Sequence, residues 1–210
     1  MRKLTRIRIE KFLEEHASDR KTLDIGCGDS YYRKYFPNCV TVDNDPAKKP
    51  DVMADAHKLP FFDGEFENIL CTEVLEHLKN PPLAISEFKR VLKPGGELIL
   101  TTRFIFPIHD APGDYFRFTK YGLMELFKDW KIELLTEEAG TLETAAILLQ
   151  RIILQGRFKG DKLIKLIIYS LMRILLFLNS FGKREFGDIK KSSFEKTIAS
   201  SGYYLVARKP

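Results

Sequence analysis

Apolar and polar positions along this chain alternate with two periods, near two in some stretches and near four in others. Short apolar, β-branched runs predict strands near 22–26, 39–43, 51–54, 66–72 and 97–102. Between them, helices are predicted near 30–35 and 81–92. Leu4, Ile7, Ile9, Phe12 and Leu13 recur at roughly helical spacing inside the charged segment Met1–His16, which predicts a helix lying against the sheet. This alternation implies a parallel sheet wound on both faces. A sixth strand is expected over Lys131–Thr136 and a seventh over Gly202–Arg208, where Tyr203, Tyr204, Leu205 and Val206 favour extended backbone. Thr119 is placed to cap a helix over Lys120–Lys128.

The turns between these elements carry candidate chemistry. Leu23-Asp24-Ile25-Gly26-Cys27-Gly28 ends an apolar strand in an acid and two glycines, where the backbone must turn sharply and come close to a ligand. A dinucleotide fingerprint would place a third glycine at position 31, and Tyr31 stands there instead. About 20 residues on, Cys39–Asp43 places a carboxylate at the end of the second strand, beside the first. A carboxylate there can accept both hydroxyls of a ribose. Asp45, followed by Pro46, reads as a turn residue.

Further segments follow in order: Asp51–Ala56 with Leu59-Pro60-Phe61, then Phe66–Thr72 with Glu73-Val74-Leu75-Glu76-His77, then Arg90–Gly96. Over about 20–135 this series resembles the class I S-adenosylmethionine (SAM) methyltransferases, in particular the ubiquinone and menaquinone biosynthesis subgroup. Glu67 departs mildly from that pattern, which usually has Asp. The resemblance implies a Rossmann-like α/β fold: a doubly wound, seven-stranded, mostly parallel sheet with an antiparallel last strand between strands five and six. It also implies that SAM is held by Asp24, Gly26, Cys27, Gly28, Asp43, Asn44, Asp55, Ala56, Thr72 and Glu73. Asp55 would read the adenine amino group and Ala56 would offer a backbone N–H, while His77 would pack near the methionine moiety or cap structure.

The loop after strand five, 103–119, mixes prolines, a glycine, a histidine, carboxylates, an arginine and aromatics. Loops of that length at the ligand edge of a sheet are usually functional. His109 suits a general base, Asp110 an orienting or acceptor-binding group, and Tyr115 and Arg117 acceptor contacts or a latch on the loop. The bland alternative for His109 is a role in loop hydrogen bonding alone.

Composition places these motifs in one expected domain over 1–210, with a core of about 20–136 and 202–209 and a helical insertion of about 141–181. Three cysteines without metal-ligand spacing point to packing in a reducing, cytoplasmic setting, no signal-peptide pattern opens the chain, and no metal is expected. Residues 151–210 hold 13 Lys and Arg against 4 Asp and Glu, a net of +9 within a chain whose total is +5. Inside that basic part, 162–179 is strongly apolar, with Lys162, Lys165, Tyr169 and Arg173 forming a narrow polar stripe. Lys165 and Arg173 argue against a membrane span. A core helix or lid over the substrate site is the favoured role for this helix, ahead of a homodimer contact or a peripheral membrane helix. The expected function is methyl transfer from SAM to a small-molecule or lipid-linked acceptor. The alternatives are a non-catalytic SAM-fold binding protein and a nucleic-acid methyltransferase, the latter disfavoured because no base-reading module is evident.

Overall fold

The computed structural model describes residues 2–29, 31–181 and 184–210. Its seven-stranded sheet contains β1 (Thr22–Ile25), β2 (Cys39–Asp43), β3 (Val52–Met53), β4 (Phe66–Thr72), β5 (Leu92–Arg103) and β6 (Lys131–Glu137). A two-residue hairpin, β7 (Glu185–Phe186) with β8 (Phe194–Glu195), precedes the last strand, β9 (Gly202–Arg208). The sheet order is β3-β2-β1-β4-β5-β9-β6, and β9 runs antiparallel to both of its neighbours. The expected seven-stranded, mostly parallel architecture is therefore the observed one.

Burial explains why these runs become strands. Every residue of β1 is buried, as a strand covered on both faces requires. On one face, Leu23, Ile25, Phe66, Phe88, Leu123 and Phe127 form the larger core, with α2 (Pro81–Val91) and α3 (Lys120–Leu126) above it. On the other, Phe12, Leu13, Tyr32, Phe36 and Tyr204 pack beneath α1 (Leu4–Glu15). Asn80 caps α2 by accepting from Leu83 N, and two prolines follow it in the first turn. Thr119 caps α3 through Gly122 N, as its position in the sequence predicts.

Three local expectations are corrected. The helix expected over 30–35 shrinks to one 3₁₀ turn, Arg33–Tyr35. Gly28 is left-handed (φ 52°) and Pro37 disfavours helical backbone at Phe36, so little length remains, and Tyr32 and Phe36 are drawn into the core instead. The strand expected over 51–54 is reduced to two paired residues. β5 begins at Leu92 rather than 97, with a register shift opposite Phe66 and Asn68.

Two helices fill the segment between β6 and the hairpin. α4 (Thr141–Gln155) joins α1: Leu4 N donates to Gln150 Oε1 at 2.9 Å, and Arg8 pairs with Glu143. α5 (Asp161–Leu178) packs on α4 but buries only Met172 fully. Leu163, Leu166, Ile167, Ile174 and Phe177 are each more than half exposed. The lid expectation for this helix is overturned, because no α5 residue lines the cleft described below. By length and composition Asp161–Phe181 could also cross a membrane, so Lys165 and Arg173 do not interrupt it as much as the sequence reading held.

Candidate active site

A cleft of about 680 Å³ opens beyond the carboxyl ends of β1, β2 and β4, where ligands of open α/β sheets bind. Gly26 forms its floor in left-handed backbone (φ 63°), and a Cβ there would stand 2.4 Å from Val74 Cγ2. Only glycine satisfies both demands. Gly28 N donates to Asp43 Oδ2 at 3.0 Å and Asp45 N to Asp43 Oδ1 at 2.9 Å, which fixes the Asp43 carboxylate at the rim. Asp45 itself accepts from Ala47 N at 2.9 Å, the turn role read from its proline neighbour.

Of the residues singled out by sequence, Gly26, Asp43, Asn44, Asp55, Ala56, Glu73, Asp110 and Tyr115 line this cleft. Asp24, Cys27, Gly28, Thr72, His109 and Arg117 do not. Asp24 is buried behind the turn with Oδ1 unpartnered, and burial together with the neighbouring Asp43 charge raises its carboxyl to about 7. Asp55 accepts from His57 N at 2.9 Å and from His57 Nδ1 at 2.5 Å, and these contacts hold its carboxyl below the usual range.

Glu73 holds the opposite wall with positive φ (58°), a strained conformation of the kind that collects at functional sites. Its carboxylate pairs with Arg103 and accepts from Thr101 Oγ1 at 3.1 Å. Burial pushes the Glu73 carboxyl up, against the pull of the Arg103 guanidinium. Arg103, almost fully buried, also donates to Glu138 Oε2 at 2.5 Å, and Glu138 accepts from Ser201 Oγ and Tyr204 Oη. Gly202 passes between them on β9, where a Cβ would lie 2.3 Å from Thr102 O. Sequence reasoning missed this network. The available signal was Arg103, a charged residue closing the apolar end of β5.

The 103–119 loop forms one wall through Asp110, Gly113 and Tyr115. Arg117 is its latch: it donates to both oxygens of Asp114 at 2.6 and 2.7 Å, and to the carbonyls of Phe106, Pro107 and Phe116. That pairing drives the Asp114 carboxyl far below its ordinary range. The loop is also tied down where Tyr115 N and Phe116 N donate to Glu76 O at 3.0 and 3.1 Å. His109 stands behind His77 rather than in the cleft, edge-on to Phe106. Burial, then the adjacent His77, lowers it to about 4, so the expected general base is a neutral, enclosed imidazole. Glu76, His77 and His109 nevertheless converge, with donor atoms within 4.8 Å of one another. The sequence did not predict this grouping, since His109 lies on a different loop from the other two.

Strand order, glycine turn, rim carboxylate and latched loop form one pattern, and residues 23–100 match the family model for the methyltransferase domain. Over those residues the chain is similar to the SAM-dependent methyltransferases, and its sheet has their fold. An uncharacterised protein of Methanocaldococcus jannaschii is 36% identical over 96 residues, covering 42% of this chain and 47% of that protein. The tRNA U34 carboxymethyltransferase of Nautilia profundicola is 31% identical over 107 residues, 41% of this chain and 35% of its own length. Ubiquinone biosynthesis O-methyltransferase of Dechloromonas aromatica is 40% identical over 55 residues, 26% of this chain and 22% of its length. The chain thus spans less than half the length of the curated relatives it matches. Among solved structures, a methyltransferase from Bacillus halodurans shares the fold with a TM-score of 0.61 at 19% identity, covering 95% of this chain and 98% of that one.

Proposed function

We propose that this protein transfers a methyl group from SAM to a small-molecule or lipid-linked acceptor at a cytoplasmic, anionic membrane surface. The observation that carries the reading is the cleft itself, with the left-handed Gly26 turn on its floor, Asp43 at the rim and Glu73 on the far wall. These groups fit the cofactor. Asp43 keeps acceptor capacity for ribose hydroxyls, Asp55 and Ala56 suit an adenine edge, and Glu73 faces the end where an ammonium group would sit. SAM supplies an already electrophilic methyl group, so the protein's own task is to hold the acceptor in line and keep water out. Asp110 and Tyr115 face that space, and Arg117 keeps their loop in place.

The lipid surface is argued from α5. Its outward face is apolar, and the surrounding segment is strongly basic, which complements anionic headgroups better than a phosphate backbone alone. A single crossing by α5 would leave β6 and β9 on opposite sides of a bilayer, yet these two strands are hydrogen-bonded neighbours. The helix is therefore assigned to lie on the surface. The test is product analysis with labelled SAM against lipid extract and bulk tRNA in parallel. Label entering the lipid fraction supports the reading. Label entering only tRNA, the acceptor class named for one relative, replaces it.

A further inference from the structure

We propose that His77, His109 and Glu76 form a binding site for a first-row divalent metal ion at the inner wall of the cleft. His77 Nδ1 lies 2.7 Å from Gly113 O, an acceptor only, so Nδ1 carries the hydrogen and Nε2 presents a lone pair. His109 Nδ1 faces Asp114 Oδ2 at 3.4 Å, and the same carboxylate oxygen accepts from His109 N at 2.9 Å. No hydrogen bond forms at that distance and Nδ1 is otherwise unpartnered, but the carboxylate's charge beside it favours a proton on Nδ1 of His109 over one on Nε2. With both protons on Nδ1, the two Nε2 lone pairs converge across 3.2 Å. Beside them, Glu76 Oε1 lies 3.9 Å from His109 Nε2, completely buried and without a hydrogen-bond partner, while its other oxygen accepts from Thr102 Oγ1 at 2.7 Å.

Two lone pairs and an unpartnered carboxylate oxygen converging out of water repel one another unless a cation joins them. Two imidazole nitrogens each about 2.0–2.1 Å from one metal, at ordinary coordination angles, stand about 2.9–3.4 Å apart. The observed separation falls in that interval. His77 is oriented by an oxygen on its far ring nitrogen, the outer arrangement usual for metal-bound histidine, and an acidic oxygen stands 3.4 Å from the far nitrogen of His109. Two histidines and one carboxylate suit manganese, iron, cobalt, nickel or zinc rather than calcium or magnesium. His77 lies on the cleft wall, with His109 and Glu76 behind it.

This inference is independent of methyl transfer, and its test needs neither SAM nor acceptor. The full chain, stripped with chelator, is titrated with Co²⁺ alone and followed by calorimetry and visible absorption. One equivalent is expected, with affinity falling at least tenfold in His109→Gln and in His77→Gln, each checked for folding by circular dichroism. In wild-type protein labelled with ¹⁵N-histidine, Zn²⁺ should shift Nε2 of His77 and His109 and leave His16 and His57 in place. That readout stands even if a variant fails to fold. Absence of binding at millimolar metal would overturn the site and leave an ordinary N–H···N hydrogen bond between two neutral rings, with the His109 proton on Nε2. Undiminished binding by both folded variants, or shifts confined to His16 and His57, would overturn it equally. SAM titrations of the same preparations separate this result from the fate of the methyltransferase reading.

Discussion

At the residue scale, three positions combine a strong physical demand with a clear readout. Asp43 is held by two backbone N–H groups and offers its remaining acceptor capacity to the cleft. Asp43→Ala is expected to weaken SAM binding by about 1.5–3 kcal/mol, the cost of losing hydrogen bonds to a charged group, measured by calorimetry. Unchanged affinity would remove it from the cofactor site. Gly26→Ala meets both Val74 and the left-handed backbone, so a loss of about 1–3 kcal/mol in stability is expected from chemical denaturation.

Asp24 provides the pH-dependent case. Its folded carboxyl titrates near 7, above the ordinary 3.8, so the folded state holds a proton that the unfolded state has already released. The stabilising contribution is complete below about 3.8 and is lost as pH rises through 7. Above 7 the folded protein carries a buried, half-unpartnered carboxylate, a penalty on the order of a few kcal/mol. Asp24→Asn should therefore raise Tm markedly at pH 8.5 and change it little at pH 4. Parallel pH profiles for variant and wild type would contradict this account.

At the element scale, the 103–119 loop and α5 make opposite predictions. The loop is long but strapped by Arg117, whose fork meets Asp114 and three carbonyls, so it should behave as a fixed wall. Arg117→Ala is expected to speed proteolytic cleavage within 103–119 several-fold, while the sheet keeps its thermal stability to within about 1–2 kcal/mol. α5 instead displays apolar side chains to solvent, more than a soluble monomer usually tolerates. Sedimentation with liposomes should rise with anionic lipid content and fall with salt. Replacing Leu166, Ile167 and Ile174 by Ser should abolish it without loss of SAM binding. A salt-insensitive self-association in place of liposome binding would point to a second copy of the chain.

At the scale of the whole molecule, the sheet decides what each surface can do. β9 enters antiparallel between β5 and β6, so the segment holding α4, α5 and the hairpin starts and finishes in one sheet. That closure denies α5 a membrane crossing despite its sufficient length and apolar character. The same sheet carries the buried Arg103–Glu138 pair, placed where β5 and β6 flank β9. Removing Glu138 leaves Arg103 only Glu73 as a carboxylate partner and loses a buried charge-assisted hydrogen bond, costing about 1.5–3 kcal/mol. Glu138→Gln should therefore lower Tm far more than any exposed ion-pair variant, by differential scanning calorimetry.

Much of this architecture was legible before the structure, because it rests on local chemistry. Alternating apolar runs gave β1, β2 and β4 nearly to the residue, Thr119 announced α3, and the glycines at 26 and 28 marked the turn under the cleft. The amphipathic character of α5 was equally plain from its stripe of Lys162, Lys165, Tyr169 and Arg173. What that helix covers was not. Periodicity reports which face is apolar, whereas only the packing of α4 reveals that most of the face stays exposed. The missing helix after β1 has a similar cause, since tertiary burial of Tyr32 and Phe36 outweighed a helical reading of a segment hemmed in by Gly28 and Pro37. The convergence of Glu76, His77 and His109 lay furthest beyond sequence. Two loops from separate strands had to fold against each other, and the tautomer of each imidazole depends on an oxygen that only the folded chain brings near.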